Sequence, residues 1–78
     1  MIPSAVWAVF EGKPDSAHPW FAMKFTIVDY EVEFTGDILY ADTLDESREQ
    51  LRARGRTPWD EWPDIWPGDL PSPVEVWC

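Results

Sequence analysis

At 78 residues the chain has room for one domain, and a domain this short buries only about 60% of its unfolded surface. A single cysteine, Cys78, excludes an internal disulfide, and one Cys with one His excludes a zinc cage, so stability must come from six Trp, four Phe and two Tyr or from burial against a partner, a homodimer included. The net charge of −9 disfavours nucleic acid and anionic membrane and favours basic protein surfaces, while 45% hydrophobic content marks a folded chain rather than an acidic tail.

The opening MIPSAVWAV has no basic n-region, and no segment approaches the roughly 20 apolar residues of a membrane span. This predicts a cytoplasmic protein with Cys78 as a free thiol. Residues 5–11, AVWAVFE, favour extended structure and are too few for a typical helix. Both of their faces are largely apolar, which suits a central strand or a covered edge strand. The stretch KPDSAHP that follows is turn chemistry, with His18 held extended before Pro19.

Residues 20–34 form the longest run with strand character. Phe21, Met23, Phe25 and Ile27 share one parity, whereas Val28, Tyr30, Val32 and Phe34 share the other. One straight strand cannot switch phase and keep a single face buried. The expectation is one strand over 20–34 with a β-bulge near 27–29. Thr35-Gly36-Asp37 is then a hairpin turn signal, returning a strand over 37–42 beside residues 30–34.

Thr43-Leu44-Asp45-Glu46 reads as a capping box opening a helix over 44–54. Asp45 and Glu46 suit its N-terminal end, Arg48, Arg52 and Arg54 its C-terminal end, and Gly55 stops it. Its apolar face is thin, with Leu44, Ser47 and Leu51, as for a helix laid on a sheet. Residues 56–73 hold five prolines and three tryptophans and are expected to form a loop, with Thr57-Pro58 starting a single helical turn. A last strand spans 74–77. Together these elements predict one α+β domain over residues 1–78. It is a small antiparallel sheet of about four strands in the order β-β-β-α-β, with the helix on one face and a Pro/Trp-rich loop.

Catalytic chemistry is sparse. His18 sits in a loop, Cys78 is the last residue, and no nucleophile elbow or glycine-rich phosphate loop occurs. Asp60, Asp64 and Asp69 do not follow the EF-hand spacing. Neither an enzyme nor a cofactor or metal is expected.

Three constellations remain. Asp29, Glu31 and Glu33 alternate along one strand face at roughly 6.7 Å intervals, and Asp37, Asp42, Asp45 and Glu46 continue the charge without any Lys or Arg between Lys24 and Arg48. Such a row resembles a nucleic-acid backbone to a phosphate-binding protein, although an exposed strand face must be polar in any case. Arg48, Arg52, Arg54 and Arg56 are read as dipole complement and internal pairing, in preference to a small basic patch. Trp59, Trp62 and Trp66 are read as a lid that packs over the thin helix face and completes the core, in preference to a partner contact.

In size, acidity and the Asp29–Glu31–Glu33 row, the chain resembles small phage-encoded inhibitors of bacterial defence, of the anti-CRISPR and DNA-mimic type. That resemblance implies a nucleoprotein target whose basic channel is blocked in the host cytoplasm. The leading expectation is an acidic protein-binding module that occupies a basic surface without binding nucleic acid itself. The other is an interaction protein that contacts its partner through Trp59, Trp62 and Trp66.

Overall fold

The structure, a computed structural model, describes residues 4–12, 17–59 and 72–78. Its elements are β1 (Ala5–Glu11), β2 (Trp20–Val28), β3 (Glu31–Ala41), α1 (Leu44–Ala53) and β4 (Glu75–Trp77). The strands form an antiparallel sheet in the order β3-β2-β1-β4, giving the expected α+β class. No helix among the described residues is long and apolar enough to cross a membrane.

β1 is the central strand, and residues 6–10 are all buried. Its alternate side chains feed two cores. Trp7 and Val9 join Ala22, Leu51 and Trp77 beneath α1, while Val6, Ala8 and Phe10 join Phe25 and Val76 on the opposite face. Each core is only one side chain deep, which is what a chain of this length can build.

The phase switch at Ile27–Val28 has a different cause from the expected bulge. β2 ends at Val28, and Asp29 and Tyr30 reverse the chain with φ of 51° and 65°. Positive φ at both central residues is the signature of the type I′ two-residue hairpin. This reversal maps odd positions of β2 onto even positions of β3: Phe25 faces Phe34 and Ile27 faces Val32. All four side chains then lie on one face, as a bulge near 27–29 would also place them, but here on two paired strands rather than one. Asn-Gly is the usual pair in such a turn; Asp tolerates the left-handed region, but Tyr does so at a cost of about 1–2 kcal/mol. Tyr30 is 70% exposed and has little packing to lose. Tyr30→Gly is therefore expected to stabilise the domain by about 0.5–1 kcal/mol, after the extra chain entropy of glycine is subtracted. A thermal melt raised by about 3–6 °C would show it, and an unchanged or lowered midpoint would contradict it.

The bulge lies where a turn was expected. Met23 pairs with Ile38 and Phe25 with Phe34, so Lys24 alone stands opposite Thr35, Gly36 and Asp37. Gly36 adopts φ 95°, and the Thr35 hydroxyl donates to the Lys24 carbonyl at 3.0 Å, occupying an acceptor in the interrupted ladder. Two extra residues preserve the side-chain phase, so Phe34, Ile38 and Tyr40 stay on one face. The expected strand over 20–34 is thus split at the turn: its first part is β2, and its second part joins the expected 37–42 strand in one long β3 paired along β2.

α1 matches its expected span within a residue. The Thr43 hydroxyl accepts from the Glu46 amide at 3.1 Å. The reciprocal arm of the box reaches one residue further: Glu46 Oε2 accepts from the Asp42 amide at 3.4 Å. At the other end, Arg56 N–H donates to the Leu51 carbonyl and Gly55 N–H to that of Arg52, with Gly55 at φ 76°. These two bonds form a Schellman motif, which turns the chain sharply after Arg54. Only Ser47 and Leu51 are fully buried on the helix.

Residues 57–59 do not begin a helical turn. Thr57 and Cys78 exchange backbone hydrogen bonds at 3.1 and 2.9 Å, and Trp59 N–H donates to Val76 at 2.8 Å. Pro58 pairs with Trp77 between these bonds, at a position where no N–H is required. The segment therefore lines the outer edge of β4, and Trp59 packs on the face opposite α1.

Candidate functional site

The acidic residues separate into two groups. Asp42 lies 2.9 Å from His18 Nδ1, Asp45 reaches Arg48 at 3.4 Å, and the Glu46 carboxylate caps the turn before α1. These three, expected to extend a free acidic face, already have partners. Asp29, Glu31, Glu33 and Asp37 are exposed and make no ion pair among the described residues. Asp29 belongs to the hairpin turn rather than to the row. Glu31 and Glu33 lie opposite Val28 and Thr26, on the face that carries α1 but outside its cover. Asp37 is the last residue of the bulge, within reach of the Thr35 hydroxyl at 3.4 Å.

β3 is the outermost strand beyond β2, so its far backbone edge is unpaired by any described strand. Phe34 and Tyr40 on it are 45% and 55% exposed. Phe34 leans on Phe25 with ring centroids 5.8 Å apart, and Tyr40 lies 6.1 Å from the His18 ring. A long edge with exposed aromatics invites another strand, and acidic side chains along it discourage self-pairing by placing like charges together.

The arginines also divide. Arg48 grips Glu75, with Nε 3.1 Å from both carboxylate oxygens and Nη2 bonded to Oε2. Trp77 Nε1 donates to the same carboxylate at 3.1 Å. The Arg48 hydrogen bond, reinforced by that of Trp77, holds the Glu75 carboxyl below its ordinary value against the opposing effect of burial. Arg52 pairs with Glu49 at 2.8 Å and lies over Trp77. Internal pairing thus accounts for Arg48 and Arg52.

It does not account for Arg54 and Arg56. With Lys24, they line a cavity of about 560 Å³ between the β3 bulge and the end of α1. Trp7, Asp37, Ile38 and Leu39 complete its wall. Lys24, Arg54 and Arg56 make no ion pair among the described residues. The Arg54 guanidinium lies 5.9 Å from the Trp7 ring centroid. Trp7 Nε1 and Arg56 Nε are buried and have no hydrogen-bond partner among the described residues. Each such donor costs about 1–3 kcal/mol. Sequence reading missed this site because the β1–β2 register sets Trp7 opposite Lys24, and the Schellman turn brings in Arg56 from far along the chain.

Of the aromatic trio, Trp59 is half-buried on the sheet face opposite α1, not over the thin helix face where a lid was expected. Trp62 and Trp66 lie outside the described residues, as do Asp60, Asp64 and Asp69. Among the described residues no group of three His, Cys, Asp or Glu side chains is placed to hold a metal.

The fold defines the class: a small α+β domain with an open acidic edge strand and a cationic cavity beside it. The chain matches no protein-family model, no curated protein and no solved structure.

Proposed function

We propose that the chain is an acidic protein-binding module whose docking element is β3, and that its partner presents a basic surface, as a nucleic-acid-binding complex does. The observation that carries this reading is the β3 edge, which no described strand pairs, with Glu31 and Glu33 exposed and in no ion pair among the described residues, next in sequence to exposed Phe34. An interface needs an apolar anchor and a steering charge, and this strand offers both within a few residues. Inhibition of a bacterial defence complex by occupying its nucleic-acid channel is the specific form this module would take. With Asp29 displaced into the turn, imitation of phosphate spacing rests on Glu31, Glu33 and Asp37 rather than on an unbroken row.

The test is affinity capture from bacterial lysate by the wild-type chain and by the Glu31→Ser, Glu33→Ser double variant, eluted over a salt gradient. Asp29 is left intact because the hairpin uses it. The expected result is a captured set that elutes at lower salt from the variant and is displaced by duplex DNA. An identical set with an identical elution profile would reject the proposal.

A further inference from the structure

We infer that the cavity between the β3 bulge and the end of α1 is a binding site for a phosphate monoester carried on a small organic body, of mononucleotide size. In a chain of net charge −9, three cations without ion-pair partners among the described residues converge on this cavity. Arg48 shows what a satisfied arginine looks like here: Nε and Nη2 form a fork closed on one carboxylate. Arg56 lines the cavity; its Nε is enclosed, without a partner among the described residues, which leaves the terminal nitrogens of its guanidinium for a ligand. A guanidinium fork of this kind is suited to two oxygens of a carboxylate or a phosphate.

Charge balance selects phosphate. Among the described residues, Lys24, Arg54 and Arg56 against Asp37 give the cavity lining three positive charges and one negative, a surplus of two. A phosphate monoester brings about −1.5 to −2 near neutral pH and neutralises it, whereas a monocarboxylate does not. Size selects an organic ester. Inorganic phosphate would fill a small part of the volume, and pockets for small organic ligands span about 300–1,000 Å³. Leu39, half-buried on the cavity wall, supplies an apolar contact for the organic part. Long nucleic acid is disfavoured by Glu31 and Glu33 on the same sheet face and by the net charge.

The helix dipole explains why arginines collect near the end of α1, but it does not recruit Lys24 from β2. The convergence of Lys24 on the same cavity points to a ligand independently of the helix.

The experiment is a nuclear magnetic resonance titration of the whole chain, following tryptophan indole N–H signals, with Trp7 assigned through Trp7→Phe. A nucleoside 5′-monophosphate, inorganic phosphate and glutarate are the three probes. The nucleoside monophosphate is expected to shift the Trp7 signal saturably and to bind about tenfold more tightly than inorganic phosphate, with glutarate weaker than either. Arg56→Gln and Lys24→Gln are each expected to weaken binding about tenfold, with the fold checked by far-UV circular dichroism. Glu31→Gln should not weaken it. Absence of a saturable shift in the wild-type chain would overturn the inference, with no dependence on any variant. Glutarate matching the nucleotide would overturn the phosphate assignment, and full affinity in Arg56→Gln would overturn the site.

Discussion

Leu51→Ala is expected to remove most of the stability of this domain. Leu51 is fully buried and packs in the cluster of Trp7, Val9, Ala22 and Trp77. It is the one large apolar side chain of α1 that is completely enclosed, since its only fully buried companion on the helix is Ser47, whose hydroxyl has no partner among the described residues. Truncating a buried Leu costs about 2–5 kcal/mol, and a domain of this size has only about 3–5 kcal/mol to lose. The small cluster cannot close the gap, because Trp7 and Trp77 are fixed by the β1–β4 register, in which they pair directly. The thermal midpoint should fall by at least about 10 °C, followed by far-UV circular dichroism. Leu44→Ala, at a half-buried position on the same helix, should cost less than half as much. Equal effects at the two positions, or a change of a few degrees for Leu51→Ala, would show that α1 is not held by this contact.

Locally written features were legible in the sequence. A short run of strand-favouring apolar residues marked β1, Thr43 and Glu46 marked the start of α1, and Gly55 marked its end, because each signal and its structural consequence lie within a few residues. The β2–β3 region was legible in part. The parity switch at Ile27–Val28 was a sound signal, but bulge and reversal both produce it, and Tyr30 is an unfavourable residue for a turn. Gly36 in turn supports positive φ either in a hairpin or in a bulge. The choice was made by pairing: a reversal at Asp29–Tyr30 lets all of β2 find partners on β3, whereas a reversal at Gly36 would pair only the short segments beside it. The edge position of β3 and the cationic cavity were not legible, because both depend on strand order and register between distant segments. Arg48 and Arg54 look alike in the sequence, and only the placement of Glu75 on β4 separates a paired arginine from one with no ion pair among the described residues.

Asp37 belongs to both proposed surfaces, and its replacement is expected to move their affinities in opposite directions. It is exposed on the outer strand with Glu31 and Glu33, and it also lines the cavity with Lys24, Arg54 and Arg56. For a basic partner it is an attractive charge; for a phosphate in the cavity it is a repulsive one. Asp37→Asn removes the charge with little change of volume. It also keeps a side-chain oxygen for the Thr35 hydroxyl, and the Asp37 amide still donates to that hydroxyl at 3.3 Å, so the bulge is preserved. Removing one charge at a separation of several ångströms, in surroundings between water and protein, changes an interaction by about 1 kcal/mol, or roughly fivefold. The variant should therefore bind a nucleoside monophosphate about fivefold more tightly while releasing a basic partner at lower salt. The first effect is read from the Trp7 indole titration and the second from salt elution after capture. If both affinities fell together, the variant would be reporting a distorted bulge, and an electrostatic role for Asp37 would be excluded. If nucleotide affinity rose and partner elution stayed the same, the cavity would stand and the docking element would not extend past the bulge.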